Sequence, residues 1–289
     1  MKILVFGKTG QLAQALRRRN GPDLTLEFLG RDQADFSRPE TCLHWVKSTD
    51  ADAVINAVAY TSVDRAEENE PMALTVNGTT PTALAQLAAG RGLPFVHVST
   101  DYVFDGAGES AVEPDHPTAP LGAYGRTKLA GEEGVRGAGG AYVVLRTSWV
   151  VSAHGNNFVK TMLRLGRESD SLRIVADQVG GPTPAADLAD ACLAAARALK
   201  EGWAGAKGIH HVAGAPDVSW AGFAREIFAQ AGINCVIEEI PTSAYPTPAQ
   251  RPLNSRLDCT SLTSVLGVPR PNWKIGLTAI LKELGELRS

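Results

Sequence analysis

Apolar and polar residues alternate in blocks along the first half of the chain. Short β-branched runs are each followed by a segment with helical spacing. KILVFG (2–7) predicts a strand and QLAQALRRR (11–19) the helix after it. TLEFLG (25–30), DAVINAVA (52–59), FVHVST (95–100) and YVVLRTSWV (142–150) predict four more strands. Between them, Ser37 is positioned to cap a helix entered through Pro39,. Residues 73–92 read as a helix that must kink at Pro81 or absorb it locally,. A further helix carries Tyr124 and Lys128.

Strands that are apolar on both faces and separated by helices imply parallel pairing with helices on both sides. The expected fold is an α/β, Rossmann-type doubly wound parallel sheet. Beyond residue 151 the pattern loosens. Segments 158–168, 186–200 and 219–232 predict helices, and 172–177 and 208–214 strands. Trp220, Phe223 and Ile227 share a helix face, and the proline-rich stretch 245–258 predicts an ordered loop. The expected division is a nucleotide-binding domain over 1–151 and a smaller α/β substrate lobe over 152–289, with some segments free to return to the first sheet.

Composition changes this picture little. The chain has 289 residues, 44% hydrophobic and 20% charged, with a formal net charge of -3. No bulk positive field is available for nucleic acid or anionic lipid, and no apolar run is long enough to span a bilayer. The N-terminal apolar run is too short for a signal peptide and reads better as a buried strand. Cys42, Cys192, Cys235 and Cys259 are widely spaced, as expected of buried thiols in a reducing, cytoplasmic compartment. His210 and His211 are neighbours on a strand and should point to opposite faces, which gives no metal pair.

The chemistry concentrates in the loops after the strands. GKTGQLA (7–13) follows strand one directly. Gly7 permits a tight turn, Gly10 close backbone approach to a pyrophosphate, and Ala13 close helix–strand packing. Thr9, Gln11 and Leu12 complete this dinucleotide-binding turn. At the end of strand two, Arg31 suits a 2′-phosphate and NADPH, whereas Asp32 suits NAD, so NADH is left as a second donor. Asp35 and Phe36 are placed to contact the adenine. Strand four ends in Ser99-Thr100-Asp101, and Tyr124 and Lys128 share a helix face one turn apart,. A cation beside a phenol lowers its pKa, and such a Tyr can protonate a carbonyl oxygen as hydride arrives.

These strings, with NAVAYTSVDRAE (56–67), STDYVFDG (99–106), LRTSWV (145–150), GNNFVKTML (155–163) and YPTPAQRPLNSRL (245–257), resemble the dTDP-4-dehydrorhamnose reductase family of the extended short-chain dehydrogenase/reductases over nearly the whole chain. The resemblance implies Tyr124 as proton donor, Lys128 as its partner and ribose contact, and Thr100 as the third catalytic residue. It implies that Ala57, Ala59, Tyr60 and Thr61 line the cofactor. Val63, Asp101 and Trp149 would touch the sugar, and Asn156, Asn157, Arg251 and Asn254 the nucleotide diphosphate. The implied partner is a small nucleotide sugar, and the oligomeric state is left as monomer or homodimer.

Related proteins hold Mg²⁺ at a dimer contact. Ala15 stands where an acidic ligand is expected, so no metal ligands are expected, although Asp187 keeps Mg²⁺ open. In related dehydratases an Asp-Glu pair follows the Thr, whereas here Asp101 precedes Tyr102, which points to plain reduction. Other nucleotide-sugar reductases, epimerases and dehydratases, and a non-catalytic NADP-binding subunit, are the competing readings.

Overall fold

Residues 3–6 present apolar side chains to both sides of an extended chain. The computed structural model, which describes residues 1–288, buries all four completely. In chain order, β1 (Lys2–Phe6), α1 (Gln11–Arg17), β2 (Thr25–Leu29), α2 (Glu40–Ser48), β3 (Ala53–Asn56), α3 (Val63–Glu68), α4 (Glu70–Leu74), α5 (Thr80–Gly90), β4 (Phe95–Thr100), α6 (Ala123–Gly137) and β5 (Tyr142–Thr147) form the first half. The second half adds β6 (Val150–Val151), α7 (Phe158–Glu168), β7 (Ser171–Val175), β8 (Val179–Gly180), β9 (Thr183–Pro184), α8 (Ala185–Lys200), β10 (Gly208–Val212), β11 (Val218–Ser219), α9 (Trp220–Ala231), β12 (Val236–Ile240), β13 (Asn254–Ser255), α10 (Thr260–Ser264) and α11 (Trp273–Leu284).

Six parallel strands make the main sheet in the order β10-β5-β4-β3-β1-β2. Ile3 and Val5 pack on one face with Leu16 of α1 and Leu188 and Cys192 of α8. Leu4 and Phe6 pack on the other with Val46 of α2, Leu84 of α5 and Val135 of α6. This two-sided burial is what a doubly wound sheet requires. The strand order reverses between β1 and β3, and the crevice outside their carboxyl ends is where such sheets place ligands. A separate core joins α7, α9 and α11 through Val159, Phe223, Ile227, Trp273 and Leu281. From beyond residue 151, β10 and α8 return to the main sheet and its flanking layer.

The structure departs from the sequence expectations in four places. Ser37 does not cap α2, which begins after Pro39 with no side-chain cap; both its N–H and its hydroxyl donate to Asp35 Oδ1 instead. The helix expected over 73–92 is α4 and α5 joined by a π-turn over Thr75–Thr79. Pro81 then falls in the first turn of α5, where its missing N–H costs nothing. The strand expected over 142–150 stops at Thr147, because Trp149 takes φ 49°, outside the extended region,. The loop over 245–258 holds the short strand β13, which pairs with β8. Among the described residues, no helix is long and apolar enough to cross a membrane.

Candidate active site

Gly7 ends β1 at φ 110°, a conformation side chains resist,. A Cβ there would also press to 3.3 Å from the Ala57 carbonyl oxygen. The glycine turn and the loop after β3 therefore lie against each other at the switch point. Gly10 precedes α1 with no side-chain cap, no acidic residue follows in the first turn, and the space around Gly10 is open. The free N–H groups suit an anionic group. Thr9 is exposed, whereas Leu12 is buried in the core and offers only its backbone. Gln11 turns toward the second half: Nε2 donates to Val150 O at 3.2 Å, and Oε1 accepts from Ser152 Oγ and Asn157 Nδ2, each at 2.9 Å.

After β2, Arg31 is 83% exposed and lies 3.5 Å from Asp35. Asp35 is engaged within its own loop, and the Ser37 hydrogen bonds hold its carboxyl below the usual range. The Phe36 ring packs edge-on against Phe6 at 5.5 Å and belongs to the core.

Helix α6 is seated by three contacts. Ala123 N donates to Glu67 Oε1 at 2.7 Å. A Cβ on Gly125 would meet the Tyr102 carbonyl oxygen at 2.1 Å, so only glycine lets the helix come this close. Asn77, in the π-turn, accepts from Tyr60 N at 2.8 Å and donates to Tyr60 O at 3.2 Å and Thr127 Oγ1 at 3.1 Å. This fully buried amide thus ties the β3 loop to α6. The sequence reading missed it, although an Asn-Gly pair interrupting a helix just before Pro81 was the available signal.

The structure brings Thr100, Asp101, Tyr102 and Tyr124 together. Thr100 Oγ1 donates to Asp101 Oδ1 at 3.0 Å and accepts from Tyr102 N at 3.2 Å. The rings of Tyr102 and Tyr124 meet edge-on at 5.4 Å. Burial pushes the Asp101 carboxyl up to about 6, which leaves it mostly ionised at neutral pH. The tuning expected of Lys128 is not what the protein's own groups do. Burial raises the Tyr124 phenol above its ordinary range, against a hydrogen bond with Thr100. Lys128, 1% exposed, instead donates to Val98 O at 2.7 Å and contacts His97 Nε2 at 3.3 Å.

A cavity of about 600 Å³ opens beside this group, lined by Thr61, Val63, Tyr102, Phe158, Trp220 and Arg251 among others. Trp149 stacks on Trp220 with centroids 3.6 Å apart. Arg251 Nη2 holds both oxygens of Asp64 at 2.8 Å. Arg251 Nη1 and Asp101 Oδ2 are buried without a partner among the described residues. Each is a polar atom left for a ligand to satisfy.

The asparagines divide differently. Asn254 is consumed by its own loop, donating to Ser110 O at 2.8 Å and accepting from Arg256 Nη1 at 3.0 Å. Asn157 caps α7 through Lys160 N at 3.3 Å, and Asn156 is exposed. Ala15 packs in the core against α8. No group of three or more His, Cys, Asp or Glu among the described residues is placed to hold a metal.

Comparison with known proteins agrees over the full length. The family described as RmlD substrate binding domain matches residues 1–286. A dTDP-4-dehydrorhamnose reductase of Sinorhizobium fredii is 42% identical over 279 residues, 95% of this chain and 94% of that protein. The crystal structure of a dTDP-4-dehydrorhamnose reductase from Clostridium acetobutylicum superposes with a TM-score of 0.92 at 34% identity, covering 99% of this chain and 100% of that one. A dTDP-4-dehydrorhamnose reductase from Bacillus anthracis, solved in complex with NADP, gives 0.90 at 30% identity, covering 98% and 99%.

Proposed function

This chain belongs to the dTDP-4-dehydrorhamnose reductase family, and from that premise we propose how its residues carry out the reaction. The enzyme reduces the C4 ketone of dTDP-4-dehydro-L-rhamnose to dTDP-L-rhamnose, the last step of dTDP-rhamnose synthesis. The observation that carries this reading is the meeting of Thr100, Asp101 and Tyr124 around Tyr102, which lines a cavity of about 600 Å³, a size suited to a small-molecule ligand,.

NADPH, when bound, supplies the hydride. The open turn at Gly7, Thr9 and Gly10 receives its pyrophosphate on the N–H groups that start α1,. Ala57, Ala59, Tyr60 and Thr61 border the same crevice, and Lys128 holds the nicotinamide ribose. Tyr124 keeps its proton on Oη at neutral pH, because burial raises its pKa, and delivers it to the ketone oxygen,. Thr100 orients that hydroxyl. Asp101 Oδ2 accepts from a sugar hydroxyl, and Arg251 Nη1 donates to the diphosphate,. Val63 and Trp149 supply apolar walls. The cytoplasm, where NADPH and nucleotide sugars are made, is the compartment assigned.

Turnover of a nucleotide-sugar ketone with NADPH separates this reading from that of a non-catalytic binding subunit. The cofactor choice has its own test. Arg31 is the exposed cation at the end of β2, and Arg31→Ala is expected to weaken NADPH by about 10–150-fold, in line with a charge-assisted phosphate contact of about 1.5–3 kcal/mol. NADH affinity should stay nearly constant. Fluorescence titration of both cofactors measures this; equal losses would remove Arg31 from the 2′-phosphate.

A further inference from the structure

Asn56, at the end of β3, and His97, in the middle of β4, lie behind Lys128 and are 1% and 0% exposed. Their hydrogen bonds form a chain whose direction is set at one end. Val58 N donates to Asn56 Oδ1 at 3.0 Å, so the amide cannot be reversed without losing that bond,. Asn56 Nδ2 therefore faces His97 Nδ1 at 3.1 Å as a donor. The imidazole must accept there, which leaves its single proton on Nε2. That nitrogen is 3.3 Å from Lys128 Nζ.

An ammonium at Lys128 would bring an N–H up against another N–H. A neutral amine at Lys128 accepts from His97 Nε2 and still donates to Val98 O at 2.7 Å. We propose that Asn56 and His97 form a tautomer lock that favours the neutral amine of Lys128, so that NADPH binding draws a proton from solvent onto this residue.

The remaining groups around Lys128 are few. Glu132, one turn on along α6, favours the cation, but it is held by Arg146 of β5. Tyr124 lies one turn back on α6. His97 stays neutral, its pKa depressed by burial and then by Lys128. Burial brings Lys128 down to about 8, in the same sense as the lock. Ribose hydroxyls offer oxygen acceptors to an ammonium, and binding would therefore shift Lys128 to its charged form. This inference rests on Lys128 as the ribose contact proposed above.

Calorimetric titration of the full-length enzyme with NADPH, in buffers of different ionisation heat, counts the protons taken up. Burial alone places Lys128 at about 8, so with the lock the wild type should take up at least about 0.7 proton at about pH 8.5 and more than about 0.1 at about pH 7. Asn56→Asp is isosteric, keeps the Val58 bond, and accepts from His97 Nδ1, which turns Nε2 into an acceptor for the ammonium. Uptake at about pH 8.5 should then fall below the roughly 0.7 proton that burial alone gives,. His97→Gln, whose Oε1 reaches the place of His97 Nε2 and can accept from Lys128, should shift uptake the same way. NADPH binding with no proton uptake in the wild type overturns the lock, and so does unchanged uptake in both variants. No NADPH binding at all overturns instead the assignment of the cofactor site.

Discussion

Tyr124→Phe is expected to lose turnover by about 10²–10⁴-fold, the range for removing a positioned general acid. The ring remains to pack edge-on against Tyr102 at 5.4 Å, and α6 keeps its seat through Ala123, Gly125 and Thr127. NADPH affinity should therefore stay within about threefold, less than one lost hydrogen bond of about 1 kcal/mol would produce. Single-turnover kinetics with pre-bound NADPH reads the chemical step directly. A rate near that of the wild type would mean that Tyr124 is not the proton donor.

The largest expected stability effect lies just behind the site. Arg146 of β5 and Glu132 of α6 are each 3% exposed. Arg146 Nε donates to Glu132 Oε1 at 3.0 Å, and Nη2 donates to Oε2 at 2.7 Å. Arg146 Nη1 also reaches Pro114 O at 2.9 Å, and its guanidinium lies 4.9 Å from the Phe104 ring centroid. Arg146→Met leaves the Glu132 carboxylate buried and alone, which costs about 3–5 kcal/mol. The double variant Arg146→Met/Glu132→Leu removes both charges and should recover most of that loss, since a buried pair and its apolar substitute are often close in energy. Urea denaturation of the three proteins gives the comparison. A loss below about 1 kcal/mol in the single variant would show that the pair does not hold α6 to the sheet.

Much of this arrangement was legible in the chain because it is local. The two-sided apolar runs at 3–6 and 143–145 announced a parallel sheet, and Gly7 and Gly10 marked the turn that opens the crevice. Tyr124 and Lys128 were visible as a pair because four residues span one helical turn. Contacts between distant residues were hidden. Nothing near position 128 indicates that His97 and Asn56 stand behind Lys128. The spacing suggested that Lys128 tunes Tyr124, but the fold directs its amino group to the Val98 carbonyl of β4. The same holds for Asn254 and Asn157, whose amides are spent on loop and helix-cap bonds that no motif reveals. Trp149 was placed in a strand by its apolar neighbours, whereas stacking on Trp220 from α9 goes with a left-handed backbone there.

The central claim is hydride transfer to the sugar ketone at C4. Incubation with NADPH carrying deuterium at the transferable nicotinamide position, and with dTDP-4-dehydro-L-rhamnose, tests it most directly by proton NMR and mass spectrometry of the product. The account predicts dTDP-L-rhamnose with one deuterium, located at C4 of the sugar. Cofactor that binds but transfers no deuterium, or label found at any other carbon, would contradict it.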